Sequence, residues 1–275
     1  MTNTPVLSAI NIYPVKSCRG IALKTSHIDT WGLKYDRNWM VVNAEGGFLT
    51  QRKFPQMALI ETELNPDTLL LRAPNMPELR IPLSVQSGDK LDVTVWNDHC
   101  QAIDQGTEAA DWLSNYMGLK CRLVRIRENH TRLADPHYTP QPTQVSFADD
   151  YPLMLISEAS LTDLNARLAE PLPMNRFRPN LVVAGCEPYA EDKWRTMQIG
   201  EVMFEVVKPC SRCAIINTNQ TTGSRGKQPM VTLATYRRVR NKILFGQHLT
   251  HTRLGKVQLG DAVEVFKSQD SVFNS

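Results

Sequence analysis

Short apolar runs separated by turn residues dominate the first hundred positions of the chain. They predict strands at 6–13, 22–30, 39–43, 48–51, 58–64, 68–72, 79–82 and 91–95, with Glu45-Gly46-Gly47 and Asn65-Pro66-Asp67 as turns between them. Strands at such regular spacing favour an antiparallel barrel or sandwich. The period changes at 107–117, where Trp112, Leu113, Tyr116 and Met117 form the apolar side of a helix with Thr107 as cap and Gly118 as terminator. A strand at 121–126 follows.

From 127 to 144 the sequence turns polar and carries Pro136, Pro140 and Pro142, as a long loop or domain junction does. This places a boundary between an N-terminal unit, 1–126, and a second unit, 127–270. The second opens on an apolar run at 153–156, then Ser157-Glu158-Ala159-Ser160, a cap for a helix with Leu161, Leu164 and Leu168 on one face. Strands fit 181–184, 196–199, 202–207 and 213–217, and a helix carries Leu233, Tyr236 and Val239. The segment 255–263 reads as a turn between two barrel strands. The expected fold is mainly β with α+β elements: an N-terminal β-barrel-like domain and a second barrel with peripheral helices.

Composition narrows the function more than the fold. With 275 residues, 42% hydrophobic and 21% charged, the chain is long enough for a substantial core in two half-sized units. A net charge of +3 is too mild for a nucleic-acid partner. No apolar run approaches the roughly 18 residues of a membrane span, and the first residues lack a signal sequence, so no membrane partner and a cytoplasmic location are expected. Six cysteines, at 18, 100, 121, 186, 210 and 213, are too scattered for a disulfide framework. Glycine-rich dinucleotide loops, phosphate loops, nucleophile elbows and paired helix histidines are all absent, which removes the usual support for dehydrogenase, NTPase, esterase and zinc-hydrolase readings.

Three constellations remain. Cys210 and Cys213 follow an apolar strand and sit beside Lys208 and Arg212, whose charge favours thiolates; the spacing suits a soft metal, a redox dithiol or two buried cysteines. Tyr13-Pro14-Val15-Lys16-Ser17-Cys18-Arg19-Gly20 breaks a strand at proline and offers Lys16, Ser17 and backbone N–H groups to an anion, or is a hairpin turn with a solvated lysine. Asp36-Arg37-Asn38-Trp39 and Gln51-Arg52-Lys53 add cations near strand ends. In Asn175-Arg176-Phe177-Arg178-Pro179-Asn180, Arg178 and Asn180 stand at a strand's start, where a guanidinium suits phosphate or carboxylate, or pairs with Glu187 or Glu191.

Together with Gly32-Leu33, Thr50-Gln51-Arg52, Phe245-Gly246-Gln247 and Gly260-Asp261, these segments resemble, in order and spacing over nearly the whole chain, the MOSC family with its N-terminal β-barrel partner. Within it the chain looks most like the mitochondrial amidoxime reducing components and their bacterial relatives. The resemblance implies an oxidoreductase that reduces small N-hydroxylated compounds at a molybdenum-pterin cofactor. Cys213 then corresponds to the molybdenum ligand, and Lys16, Ser17, Arg37, Arg178, Asn180, Ser211 and Arg212 to cofactor-holding positions. Asp149, in Phe147-Ala148-Asp149-Asp150, becomes a candidate for proton handling or for positioning a loop, with pairing to a neighbouring arginine as the other role open to it. Without the ferredoxin-like domain of many bacterial relatives, electrons are expected from a separate flavin or iron-sulfur protein; membrane attachment is not carried over. The competing function is a carrier of the cofactor or of sulfur bound at Cys213.

Overall fold

The structure is a computed structural model that describes residues 4–84, 88–129, 131–139 and 141–273. Pro140, one of the three prolines of the expected junction, lies outside the described residues.

Apolar residues in Val6–Ile12 face inward as Leu7, Ile10 and Ile12. A register shift between Leu7 and Ala9 moves the buried set from odd to even positions, as an extra residue in a period-two strand must. This strand lies antiparallel between Leu181–Ala184 and Ile21–Leu23. It thereby joins a sheet whose further strands run, in spatial order from Leu181–Ala184, through Leu153–Ser157, Lys242–His251, Val202–Ser211, Trp194–Ile199 and Val263–Ser268. Backbone bonds from Leu7 to Asp261 (2.9 Å) and from Val263 to Pro5 (2.8 Å) draw the first strand to the start of the last, so the sheet curls on itself. Ile10, Leu155, Leu181, Phe204 and Leu249 fill its interior.

A second antiparallel sheet orders Trp39–Asn43, Cys121–Ile126, Asp98–Asp104 and Lys90–Val95, and a third orders Glu61–Leu64, Thr68–Arg72 and Leu79–Pro82. The helix Thr107–Met117 lays Trp112 and Leu113 into a core with Trp39, Leu71 and Leu123. The fold is mainly β, as expected. Among the described residues no helix is long and apolar enough to cross a membrane.

Several boundaries differ for identifiable reasons. Gly106, not Thr107, occupies the cap position before the first helix and gives it no side-chain bond, whereas Gly118 closes the helix at φ 70°. Ser157 caps the helix Glu158–Asn165 by accepting from the Ser160 N–H. The expected strand at 22–30 splits, because Thr25–Asp29 leaves the large sheet to pair with Gly255–Gln258. A 3-10 turn, Pro55–Leu59, replaces the first part of 58–64, and another, Ala214–Asn217, replaces the expected strand at 213–217. Val239 leaves the helix Met230–Tyr236 for the short strand Arg238–Val239. Lys242–His251 went unanticipated because it is buried on both faces and shows no alternation.

Gly246 sits in that strand at φ 76°, and a Cβ there would lie 2.6 Å from Ile156 Cγ1 and 2.8 Å from the Leu155 carbonyl. Gly246→Ala is therefore expected to destabilise the fold by about 1–3 kcal/mol. The measurement is urea unfolding, where the midpoint falls at constant slope; a wild-type midpoint would contradict this packing.

Candidate functional site

Pro14 ends the first strand, and the chain turns back through Val15 to Arg19. The Lys16 N–H bonds to the Trp39 carbonyl at 2.8 Å and the Cys18 N–H to that of Val15 at 3.0 Å. The turn puts Ser17 at φ 68°, in the left-handed region; Arg37 and Arg178 adopt φ 51° and 54°. Each such non-glycine residue costs on the order of 1–3 kcal/mol. All three line one cleft, which encloses about 980 Å³ with its open mouth included. Strain concentrated in this way points to function.

The cleft is cationic. Lys16 is buried, not solvated; its ammonium donates to the Phe147 carbonyl at 2.6 Å and pairs with Asp149. Burial brings its pKa down to about 8 against the opposing pull of Asp149. Arg178 donates to the Cys18 carbonyl at 2.8 Å and stacks 4.1 Å from the Tyr13 ring centre. It makes no pair with Glu187 or Glu191; Glu191 instead accepts from Ser157 N–H and the Ser160 hydroxyl. Arg37 covers the same Tyr13 ring at 4.4 Å, pairs with Asp36 and donates to Asn180 Oδ1 at 3.0 Å. Burial pushes the Tyr13 phenol up to about 12, against Arg178 and Arg37, and brings Arg178 down to about 10.

Asn180 is a stitch. Its backbone N–H donates to Met154 O at 2.8 Å, its Oδ1 accepts from Met154 N, and its Nδ2 donates to Asn11 O, both at 3.2 Å. Arg212 spends most of its donors on the scaffold, reaching Phe245 O at 2.7 Å, Phe177 O at 2.9 Å and Met154 Sδ at 2.7 Å. Ser211 and Cys213 complete the far wall, Cys213 half-buried at the start of the turn Ala214–Asn217.

Every candidate from the sequence thus reaches one cleft. Asp149 reaches it in a salt bridge to Lys16 and a second to Arg52 at 3.0 Å. Burial raises its pKa, but Lys16 and Arg52 outweigh this and hold the carboxyl far below the usual carboxylate range. It is ionised at neutral pH and is an acceptor there, not a source of protons. Arg132 fixes its segment through the carbonyls of Ser146 (3.0 Å), Ala148 (2.5 Å) and Asp149 (3.2 Å).

Sequence reasoning missed Trp96, Tyr151 and His248 as lining residues and left Arg52, Arg176 and Cys210 at the margin. Trp96 sits in a hairpin turn at φ 57°, stacks 4.6 Å from Arg52 and donates to Asp149 at 3.2 Å. An aromatic at a turn, where Gly or Asn is usual, was the signal available.

The donor set fits a phosphorylated organic group carrying a soft metal. Ammonium and guanidinium groups suit phosphate, and a thiolate suits the metal. Among the described residues no cluster of three or more His, Cys, Asp or Glu could hold a metal alone. A metal at Cys213 would therefore draw further ligands from outside such a cluster, as from a bound organic group.

Comparison with known proteins agrees. Residues 4–120 match the MOSC N-terminal beta barrel domain and residues 142–264 the MOSC domain. The chain is 34% identical over 275 residues to mitochondrial amidoxime reducing component 2 of Bos taurus, covering 94% of this chain and 82% of that one. Mitochondrial amidoxime-reducing component 1 of Homo sapiens is 34% identical over 272 residues, covering 92% and 80%. Molybdenum cofactor sulfurase of Oryza sativa subsp. japonica is 36% identical over 261 residues, which are 87% of this chain but 32% of that protein.

Since Asp149 supports the charged form of Lys16, Asp149→Asn is expected to drop the ammonium midpoint below about 8. Carbon-13 NMR of the lysine ε-carbons, with Lys16 identified by Lys16→Arg, measures this; a midpoint still near 8 would overturn the assignment.

Proposed function

The chain belongs to the MOSC family together with the mitochondrial amidoxime reducing components, and from that premise we propose that it binds a molybdenum-pterin cofactor and reduces small N-hydroxylated compounds. Electrons would come from a separate donor protein of the flavin or iron-sulfur type. The observation that carries this reading is the convergence of Lys16, Arg37, Arg178 and Arg212 with Cys213 on one strained, half-buried cleft.

When bound, the cofactor supplies the two-electron chemistry. Cys213 would ligate its metal. Lys16, Arg37 and Arg178 would neutralise its phosphate, since each keeps N–H donors beyond those bonded to the protein. Ser17, Asn180 and Ser211 would hydrogen-bond its periphery. Arg212, bonded to three neighbours, holds the walls in register and contributes charge. Trp96, 45% exposed at the mouth, offers an apolar face that limits water at the substrate end.

The likeness to molybdenum cofactor sulfurase keeps one other reading: a carrier that delivers the cofactor, or sulfur bound at Cys213, without turnover of its own.

Protein from a host that makes the cofactor is expected to contain molybdenum and pterin and to reduce benzamidoxime with a reduced dye as donor. Loaded protein without any N-reductive turnover would sink the enzymatic reading, and a transferable persulfide on Cys213 would favour the carrier. Cys213→Ala should abolish turnover at unchanged melting temperature; full activity in that variant refutes the ligand role. Arg178→Met should lower pterin content several-fold at equal expression, and unchanged content would remove Arg178 from the binding set.

A further inference from the structure

Cleaving the N–O bond of an N-hydroxylated compound takes two electrons from the donor protein and two protons, one to nitrogen and one to the oxygen that leaves as water. The ionised Asp149 cannot supply them. The cleft also carries groups to which the N-reductive reading gives no role.

His248 lies in the strand Lys242–His251 and is 9% exposed, and among the described residues its Nδ1 has no hydrogen-bond partner although it lines the cleft. A buried ring nitrogen without a partner carries an uncompensated desolvation cost that a passing proton or ligand can relieve. Its Nε2 lies 3.7 Å from Asp150 Oδ2, whose carboxylate also holds the Lys208 ammonium at 3.2 Å. The groups facing the imidazole are few. Lys208 and Cys210 come from Val202–Ser211, with Arg212 just beyond; Asp150 and Tyr151 come from the segment before Leu153–Ser157, the Tyr151 ring 5.3 Å away.

Asp150 is exposed and lines both this cleft and a second, larger groove of about 1930 Å³. Asp150 thus borders both the cleft and the groove, and the imidazole stands beside it in the wall of the cleft. We propose that His248 is a proton relay, recharged from the groove through Asp150 and passing protons to the N–O bond being cleaved in the cleft. The assignment rests on the N-reductive reading. Imidazole is suited to the task because one ring nitrogen can accept a proton while the other donates one. Its neighbour agrees: burial raises the Cys210 thiol, but Arg212 and then His248 outweigh this and bring it down to about 7.

Two readouts test the relay. Iodoacetamide alkylation of the purified protein reports Cys210 separately from Cys213, because trypsin cleaves after Arg212 and places them on different peptides. His248→Gln is expected to move the Cys210 midpoint from about 7 toward the ordinary thiol value of about 8.5 and to slow alkylation at neutral pH several-fold. In cofactor-loaded enzyme with a reduced dye, the same variant should lower kcat about 100-fold with KM and molybdenum content unchanged and a larger solvent isotope effect. Asp150→Asn, at an exposed position that does not threaten folding, should lower kcat several-fold in the same direction. An unchanged Cys210 profile, or an unchanged kcat and isotope effect, overturns the relay and leaves Lys16 as the proton source. Loaded wild-type protein that reduces no N-hydroxylated compound removes the reaction itself, and the relay falls with it even where the alkylation shift persists.

Discussion

Repulsion among like charges is the constraint on which the rest of this structure depends. Lys16, Arg37, Arg52, Arg178 and Arg212 converge on one cleft, and two carboxylates, Asp36 and Asp149, make direct pairs with them. Buried cations are tolerated only where paired or hydrogen-bonded. Here the carbonyls of Cys18, Phe147, Phe177 and Phe245 accept some of the other donors. Three of those carbonyls, all but that of Phe245 in the strand Lys242–His251, belong to loops or turns, so these segments must be held in place. The left-handed conformations of Ser17, Arg37 and Arg178 follow from that need. A site preorganised for an anion gains, on binding, the electrostatic compensation that the protein alone withholds.

Tyr13 is the keystone of the arrangement. Guanidinium groups from Arg37 and Arg178 cover its ring, and its hydroxyl donates to Pro179 O at 3.1 Å. Arg178 and Pro179 lie more than 160 residues further along the chain. The same join is made in the backbone, where the first strand pairs with Leu181–Ala184 inside a sheet otherwise built largely from the second half of the chain. The two halves are thus closed over each other at the cleft, and neither supplies the site alone.

Asp149 and Asp150 show how neighbours in sequence diverge in chemistry. Asp149 faces Lys16 and Arg52 and is fixed as an anion. Asp150 turns the other way, exposed, between Lys208 and His248. The Lys16 side of the cleft is permanently charged, whereas beside Asp150 stand an imidazole and a thiol that its neighbours bring down to about 7. The charge proposed to bind is thereby separated from the groups proposed to move protons.

The residue types of the binding wall were legible in the sequence because they sit in short motifs whose local signals survive tertiary context. A proline ends a strand before Lys16, and Arg178 and Asn180 stand directly before an apolar strand. The strands at Trp39–Asn43, Thr68–Arg72 and Leu181–Ala184 were equally legible from short apolar runs bounded by turns. Lys242–His251 was not, since burial on both faces erases the period that marks a strand. His248 was hidden with it, and Trp96 looked like an ordinary turn residue. The sequence by itself determined which side chains were available and the local turns that present them. Only the tertiary structure decided that Asp149 is pinned between cations while Asp150 opens to solvent, because adjacent carboxylates differ only in the distant groups that the fold brings to face them.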